Sequence, residues 1–526
     1  MNLRQTALRT TLLASLFGAA ISTVAFQANA ATLRIAYDAD PETLDIQQQL
    51  SGGVLRLSHL VFDPLVRWNK QLEIEPRLAT GWDQVDDTTL RMTLRSGVKF
   101  HSGNDFTAED VVWTVERLKR SPDFRAIFEP IVSATAIDEH TVEFKTASPY
   151  PLLLNIATYI FPMDSAYYSG EDDQGNDKSA IVPFGQSNFA TQNASGTGPF
   201  RITARQQGVR VDFERFPDYW DTDSPGNVDE IVLTPISENA TRVAALLSGS
   251  VDFIDAVPPN DIERVRNASG VNLVEIPGTR IIGFQLNEET QEAFKDARVR
   301  QAVDYAINQV GIDQRLMRGF ATPAAQLSPE GYAGHNPALE PRYDVERARA
   351  LMQEAGYGDG FSISMISPNN RYTFDAQIAQ AVATMLSQIG IRVDLRTMPI
   401  TQYWPEYDTR QADMALIGWH ADTEDTANFF QYLTMCRDDA TGAGQYNFGS
   451  YCNEEIDAMI RAADVELDTD RRSSMLQEAE AKLRDDAGFI PIHWQNLAYG
   501  ARENVELEPV VNVLDFPYLG DLVVRE

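Results

Sequence analysis

The sequence predicts an α/β chain divided among two or three domains. Apolar stripes of helical period alternate with short strands along the whole chain instead of gathering at one end. At 526 residues the chain is too long for a single core. Composition is globular, 43% hydrophobic and 23% charged, with no internal repeat, so no long disordered arm is expected.

The elements follow in chain order. Residues 32–37 alternate as a short strand, and 89–94 do so with Leu90, Met92 and Leu94 on one face. Thr107 reads as a helix N-cap with Asp110 three residues on, close to a capping box, ahead of Val111, Val112, Val115 and Leu118. Residues 208–213 and 230–233 read as strands, and 239–247 as a helix ending at Gly249. After Asp296, the residues Val299, Ala302, Val303, Ala306, Ile307 and Val310 recur at helical spacing. Asp344 caps a helix through Ala348, Leu351 and Met352 that stops at Gly356. A third stripe, Ile378, Val382, Met385, Leu386 and Ile389, halts at Gly390. Ile391, Val393 and Leu395 then alternate as a strand leading towards an apolar run at 414–417.

Residues 1–30 read as an export leader: Arg4 and Arg9, an uncharged apolar stretch over 12–26, then Ala28-Asn29-Ala30 before a cut after Ala30. No cysteine follows that cut, so a lipid anchor there is not expected. Cys436 and Cys452, the two cysteines, read as a disulfide near the 418–422 segment, with two buried thiols as the alternative. The formal charge of −32 repels nucleic acid and anionic membranes, and disfavours both as partners.

Catalytic patterns are missing. His59, His101, His140, His335, His420 and His493 are scattered, with no pair at metal-ligand spacing. There is no Gly-x-Ser-x-Gly elbow and no Gly-Lys-Ser/Thr phosphate loop. Gly196-Thr197-Gly198-Pro199 lacks the third glycine of a dinucleotide fingerprint, and Asp38-x-Asp40 is followed by Pro41 instead of a calcium loop. Neither an enzyme nor a cofactor is expected.

The segment Gly418-Trp419-His420-Ala421-Asp422 follows the apolar run at 414–417. Ligands of open α/β sheets sit beyond strand carboxyl ends, so Asp422 is placed to meet a cation. Arg371 follows another apolar strand, 361–366. One fixed anion and one fixed cation on a shared cleft suit a small zwitterion such as a short peptide. The alternative makes Asp422 a helix cap and Arg371 a surface arginine.

Longer stretches resemble a known family. Gly81-Trp82, the block from Asp86 to Arg95, Gly97-Val98-Lys99-Phe100-His101-Ser102-Gly103 and Phe106-Thr107-Ala108-Glu109-Asp110-Val111 resemble family 5 extracellular solute-binding proteins, the dipeptide, oligopeptide and nickel receptors of ABC importers. Gly249-Ser250-Val251-Asp252, Asp296-Ala297-Arg298-Val299-Arg300-Gln301-Ala302, Tyr451-Cys452-Asn453-Glu454-Glu455-Ile456-Asp457 and Ile490-Pro491-Ile492-His493 continue it. The resemblance implies a two-lobed periplasmic-binding-protein fold with an extra domain, the three-domain cluster C type. It implies a first lobe at 31–66, 184–283 and 500–526, an extra domain at 67–183 and a second lobe at 284–499. It also implies a periplasmic monomer that docks, closed, on a membrane permease.

Trp419 to Asp422 matches the family's Trp-x-x-Asp element, whose carboxylate holds a peptide's ammonium, and Arg371 is similar to the arginine that receives the terminal carboxylate in the dipeptide branch. By that resemblance Gly418 would let backbone approach the ligand, Trp419 would wall the cleft, and Tyr403 or Trp404 would form a second wall. His420 departs from the small residue or cysteine of the peptide branches; it either touches solute or points into the lobe. Other solutes of the same receptor class, an opine-like conjugate, a sugar or a metal chelate, stay open.

Overall fold

Ile281–Leu286 is buried at all six positions because it runs through the middle of a sheet covered on both faces. The computed structural model describes residues 31–525 apart from Glu42, Phe184, Asp439 and Ala440. The expected leader at 1–30 lies outside the described residues. The six-stranded sheet has the order Thr322–Pro323, Ile490–Trp494, Ile281–Leu286, Met414–Trp419, Phe361–Pro368, Ile391–Met398. Side chains alternate between its faces, as the pleat requires. Ile282, Phe284, Leu286, Met365 and Leu416 pack with helices Ala297–Ala306, Val345–Glu354 and Asp375–Ser387. Ile281, Ile366, Ala415 and Ile417 pack on the other side with Thr426–Leu433, Glu454–Ala463 and Thr469–Asp486.

A second, seven-stranded sheet has the order Val271–Ile276, Leu497–Arg502, Phe253–Asp255, Thr32–Ala36, Glu230–Leu233, Arg210–Arg215, Phe200–Gln206. A third, antiparallel and four-stranded, joins Ala79–Asp86, Thr89–Leu94, Thr141–Thr146 and Ile131–Asp138. Leu90, Met92 and Leu94 face its core with Val111 and Val115 of helix Ala108–Leu118. The expected capping box is present: Asp110 Oδ2 accepts the Thr107 amide at 2.9 Å, and the Thr107 side chain faces the Asp110 amide. Among the described residues no helix is long and apolar enough to cross a membrane.

Several boundaries differ from expectation, and the strand expected at 32–37 ends at Ala36. The strand read from 208 begins at Arg210, because Gly208 takes φ 73° in the preceding turn. The helix after Asp296 ends at Ala306; Asn308 caps a separate short helix, Gln309–Ile312, with its side chain accepting the Gly311 amide.

The chain passes between the large sheets twice, at 277–280 and at 495–496. The passages touch: the Gln495 amide donates to the Arg280 carbonyl at 2.9 Å. A side chain at Gly278 would lie 2.2 Å from the Gln495 carbonyl oxygen, so this approach requires glycine.

Candidate functional site

Three strand ends converge on one edge of the six-stranded sheet. Met414–Trp419 and Phe361–Pro368 are parallel, so both carboxyl ends emerge there. Ile281–Leu286 runs antiparallel to Met414–Trp419, with Ile281 opposite Trp419, so its amino end emerges there too. Residues 420–425, 369–374 and 277–280 therefore crowd together.

Asp422 is half-buried at that edge and has no hydrogen bond or ion pair with the described residues. Burial, helped by Glu424, pushes its carboxyl up to about 6 against the opposing pull of His420 and Arg280. Asp422 is not the helix cap. Asp425 caps Thr426–Leu433 by accepting the Ala427 amide at 2.9 Å, and Arg472 grips the same carboxylate at 2.5 and 2.7 Å.

Two arginines share the edge. Arg371 is exposed, with its guanidinium 5.5 Å from the Tyr372 ring centre. Arg280 is half-buried, and its guanidinium has no hydrogen bond or ion pair with the described residues. Burial first, then the charge of Arg371, lower its pKa, against the pull of Tyr372, Asp515 and Asp422. Sequence reading missed Arg280. Its place depends on the pairing of Ile281 with Trp419, far along the chain, which no local pattern reports.

His420 uses both ring nitrogens within the protein. Nδ1 lies 2.9 Å from Thr279 Oγ1, and Nε2 lies 2.9 Å from Glu424 Oε1. The Tyr332 hydroxyl donates to Glu424 Oε2. Burial disfavours a charged imidazole here, but Glu424 outweighs it and raises the His420 pKa. Glu424 takes φ 51°, which turns its buried carboxylate back under the loop.

The remaining expected residues divide. Trp419 is half-buried, donates from Nε1 to Asn428 Oδ1 at 2.9 Å, and meets Tyr446 and Tyr432 at ring separations of 4.8 and 5.0 Å. Trp404 extends this wall through Tyr446 at 6.4 Å. Tyr403 does not join it: it is fully buried and its hydroxyl donates to the Leu416 carbonyl. Tyr403 and Tyr407, four apart on helix Ile400–Thr409, are its inward face. Gly418 serves a different purpose from the one expected. A side chain there would strike Ile282 and Tyr372, each at 2.6 Å, so the neighbours that exclude a Cβ are protein groups. Cys436 and Cys452 form a disulfide. The loop it closes carries Tyr446.

Groups from elsewhere close over the edge. Asn155 Nδ2 donates to the Thr423 carbonyl at 2.8 Å. Buried Tyr159 lies close enough to Glu424 and Asp422 that, after burial, their charges further raise its phenol pKa. Glu424 also lines a small cavity with His59, Arg67, Tyr159, Phe516 and Tyr518. The outcome is a partly covered hollow with a half-buried carboxylate and a half-buried guanidinium that have no partner among the described residues, an exposed second guanidinium at its rim, and an aromatic wall.

Comparison with known proteins gives the family and the fold. The model of bacterial extracellular solute-binding proteins, family 5 Middle, matches residues 73–441. The chain is 26% identical over 513 residues to the dipeptide-binding protein of Escherichia coli, covering 92% of this chain and 93% of that one. It is 27% identical over 503 residues to the glutathione-binding protein GsiB of Salmonella typhi, covering 93% and 94%. The crystal structure of the ABC transporter substrate-binding protein CtaP from Listeria monocytogenes superposes with a TM-score of 0.82 at 23% identity, covering 95% of this chain and all of that one. The fold is the mixed α/β, cluster C periplasmic-binding-protein fold. The chain belongs to the family 5 bacterial extracellular solute-binding proteins, which bind and deliver solutes and are not enzymes.

Proposed function

We propose that this protein captures short peptides, dipeptides above all, for an ABC importer. Asp422 receives the peptide's ammonium, and the arginines of the same edge receive its carboxylate. Trp419 and Trp404 wall the hollow. The observation that carries this reading is the half-buried Asp422 carboxylate and the half-buried Arg280 guanidinium at one sheet edge, each without a partner among the described residues. A half-buried carboxylate without a partner is costly, and a ligand ammonium supplies the missing one.

The seven-stranded and six-stranded sheets form the two lobes, the four-stranded sheet belongs to the extra domain, and the crossings at 277–280 and 495–496 act as the hinge. Solute stabilises the closed arrangement by its differential affinity for closed over open. We place the mature monomer in the periplasm, exported by the 1–30 leader and delivering its solute to a membrane permease.

Isothermal titration calorimetry with a dipeptide panel tests the reading. Micromolar or tighter binding of Ala-Ala is the expected result, with loss on Asp422→Ala. Binding that survives Asp422→Ala unchanged would refute it.

A further inference from the structure

The charges around the hollow do not balance for a simple zwitterion. Asp422 contributes one negative charge, and Arg280 and Arg371 contribute two positive ones with no ion pair among the described residues. The neighbouring charges are committed elsewhere. His420 and Glu424 face each other at 2.9 Å, so the Glu424 carboxylate is directed to the imidazole and away from the arginines. Asp515, which Arg280 feels, accepts the Tyr499 hydroxyl at 3.1 Å and shares Arg56, at 3.2 Å, with Asp255 at 2.6 Å. Asp375 is occupied by the amides of Arg371 and Tyr372 at 2.9 and 3.1 Å. A dipeptide with neutral side chains brings one carboxylate for two guanidiniums, so either the half-buried Arg280 or the exposed Arg371 is left with water alone.

Backbone contacts hold the two arginines on one side. The Arg280 carbonyl accepts the Gln495 amide at 2.9 Å, and Gln495 Oε1 accepts the Thr373 amide at 3.5 Å, two residues from Arg371. Thr279, next to Arg280, binds His420 at 2.9 Å. Arg280 is thus pinned between the loop of Arg371 and the loop of Asp422.

We propose that Arg280 is a specificity residue, and that the preferred solute carries one ammonium and two carboxylates, as in a peptide with an acidic side chain. This rests on the peptide reading above. One carboxylate pairs with each guanidinium, and Asp422 takes the ammonium. A net anionic solute would then suit a receptor whose surface is otherwise strongly acidic, because burial makes the local balance decisive over the screened global field.

The test compares Ala-Glu with its near-isosteric amide Ala-Gln by calorimetry on the purified chain, parent and Arg280→Gln, with Arg280→Lys retaining the charge. The expected result is Ala-Glu binding at least tenfold tighter than Ala-Gln in the parent. That ratio should fall to within twofold in Arg280→Gln and recover partly in Arg280→Lys. A parent ratio near one overturns the inference and leaves the dipeptide reading standing, since both arginines would then serve a single carboxylate. A preference that survives Arg280→Gln overturns the role of Arg280. Failure of Ala-Ala, Ala-Gln and Ala-Glu alike overturns both readings together.

Discussion

Thr279 Oγ1 lies 2.9 Å from His420 Nδ1, and that contact ties a crossing between the two large sheets to the loop that presents Asp422. Glu424 continues the tie through the other imidazole nitrogen to Tyr332. Position 420 therefore sets loop geometry. His420→Ala leaves the buried Glu424 with only the Tyr332 hydroxyl, and should cost about 1–3 kcal/mol in urea unfolding. His420→Asn, which can keep one of the two contacts, should recover part of that loss.

Asp422 predicts a trade between stability and binding. Its carboxyl has no protein partner and burial raises its pKa to about 6, so at pH 8 the folded protein holds an unfavourable charge. Asp422→Asn should leave the melting temperature at pH 8 unchanged or higher. The same change should weaken a bound dipeptide by about 2–5 kcal/mol, because the ammonium is then buried without its counter-charge. Differential scanning fluorimetry and calorimetry on one preparation read both.

The pH dependence has a definite sign. With a folded pKa of about 6 against an ordinary carboxyl near 3.8, Asp422 contributes stability to the free protein that is present at low pH and is lost as pH rises through about 6. Ligand ammonium needs the ionised form, so affinity should fall about tenfold per unit as pH drops below 6. A peptide's own amino group loses its proton near pH ~8, which weakens binding again above that. Calorimetry between pH 5 and 9 should trace a maximum between the two; a flat profile below pH 6 would remove Asp422 as the ammonium anchor.

Much of the fold was legible because its helices are amphipathic. The stripes at 299–306, 348–352 and 378–386 became helices whose inward residues are buried. Asp422 was legible because a strand end, an indole and a carboxylate fall within a few residues. Arg280 was not, because its position depends on antiparallel pairing across more than a hundred residues. Nor was Glu424, whose orientation depends on a left-handed backbone that favours no residue of its type. The placing of Tyr403 in the wall could have been avoided: Tyr403 and Tyr407 at a spacing of four mark a core face, and Trp404 lies off it.

The disulfide supports the wall from behind. Cys436 and Cys452 close a loop whose Tyr446 packs 4.8 Å from Trp419, and Asn447 ties the loop to the Met435 and Tyr451 carbonyls at 3.0 and 2.7 Å. Replacing both cysteines by serine should cost about 3 kcal/mol on the loop-entropy estimate. It should also accelerate ligand release more than it slows capture, since the loosened wall would hold a bound solute less firmly while leaving the charged edge that meets it in place. Stopped-flow fluorescence of the tryptophans separates the two rates.

The least negotiable charge pair is remote from the hollow. Arg117, on the helix behind the four-stranded sheet, is fully buried and grips Asp45, also fully buried, at 2.6 and 2.8 Å. Its guanidinium also donates to Gln47 at 3.0 Å and to the Ser179 and Ala180 carbonyls at 3.0 and 3.2 Å, so one side chain fastens three segments. Arg117→Leu strands the Asp45 carboxylate and should cost about 3–5 kcal/mol. Arg117→Leu with Asp45→Asn removes both charges and should restore part of the stability, though the two carbonyls lose their donor. Urea unfolding followed by circular dichroism gives the comparison. If the double variant is as unstable as the single one, the carbonyl contacts, and not the ion pair, hold this joint together.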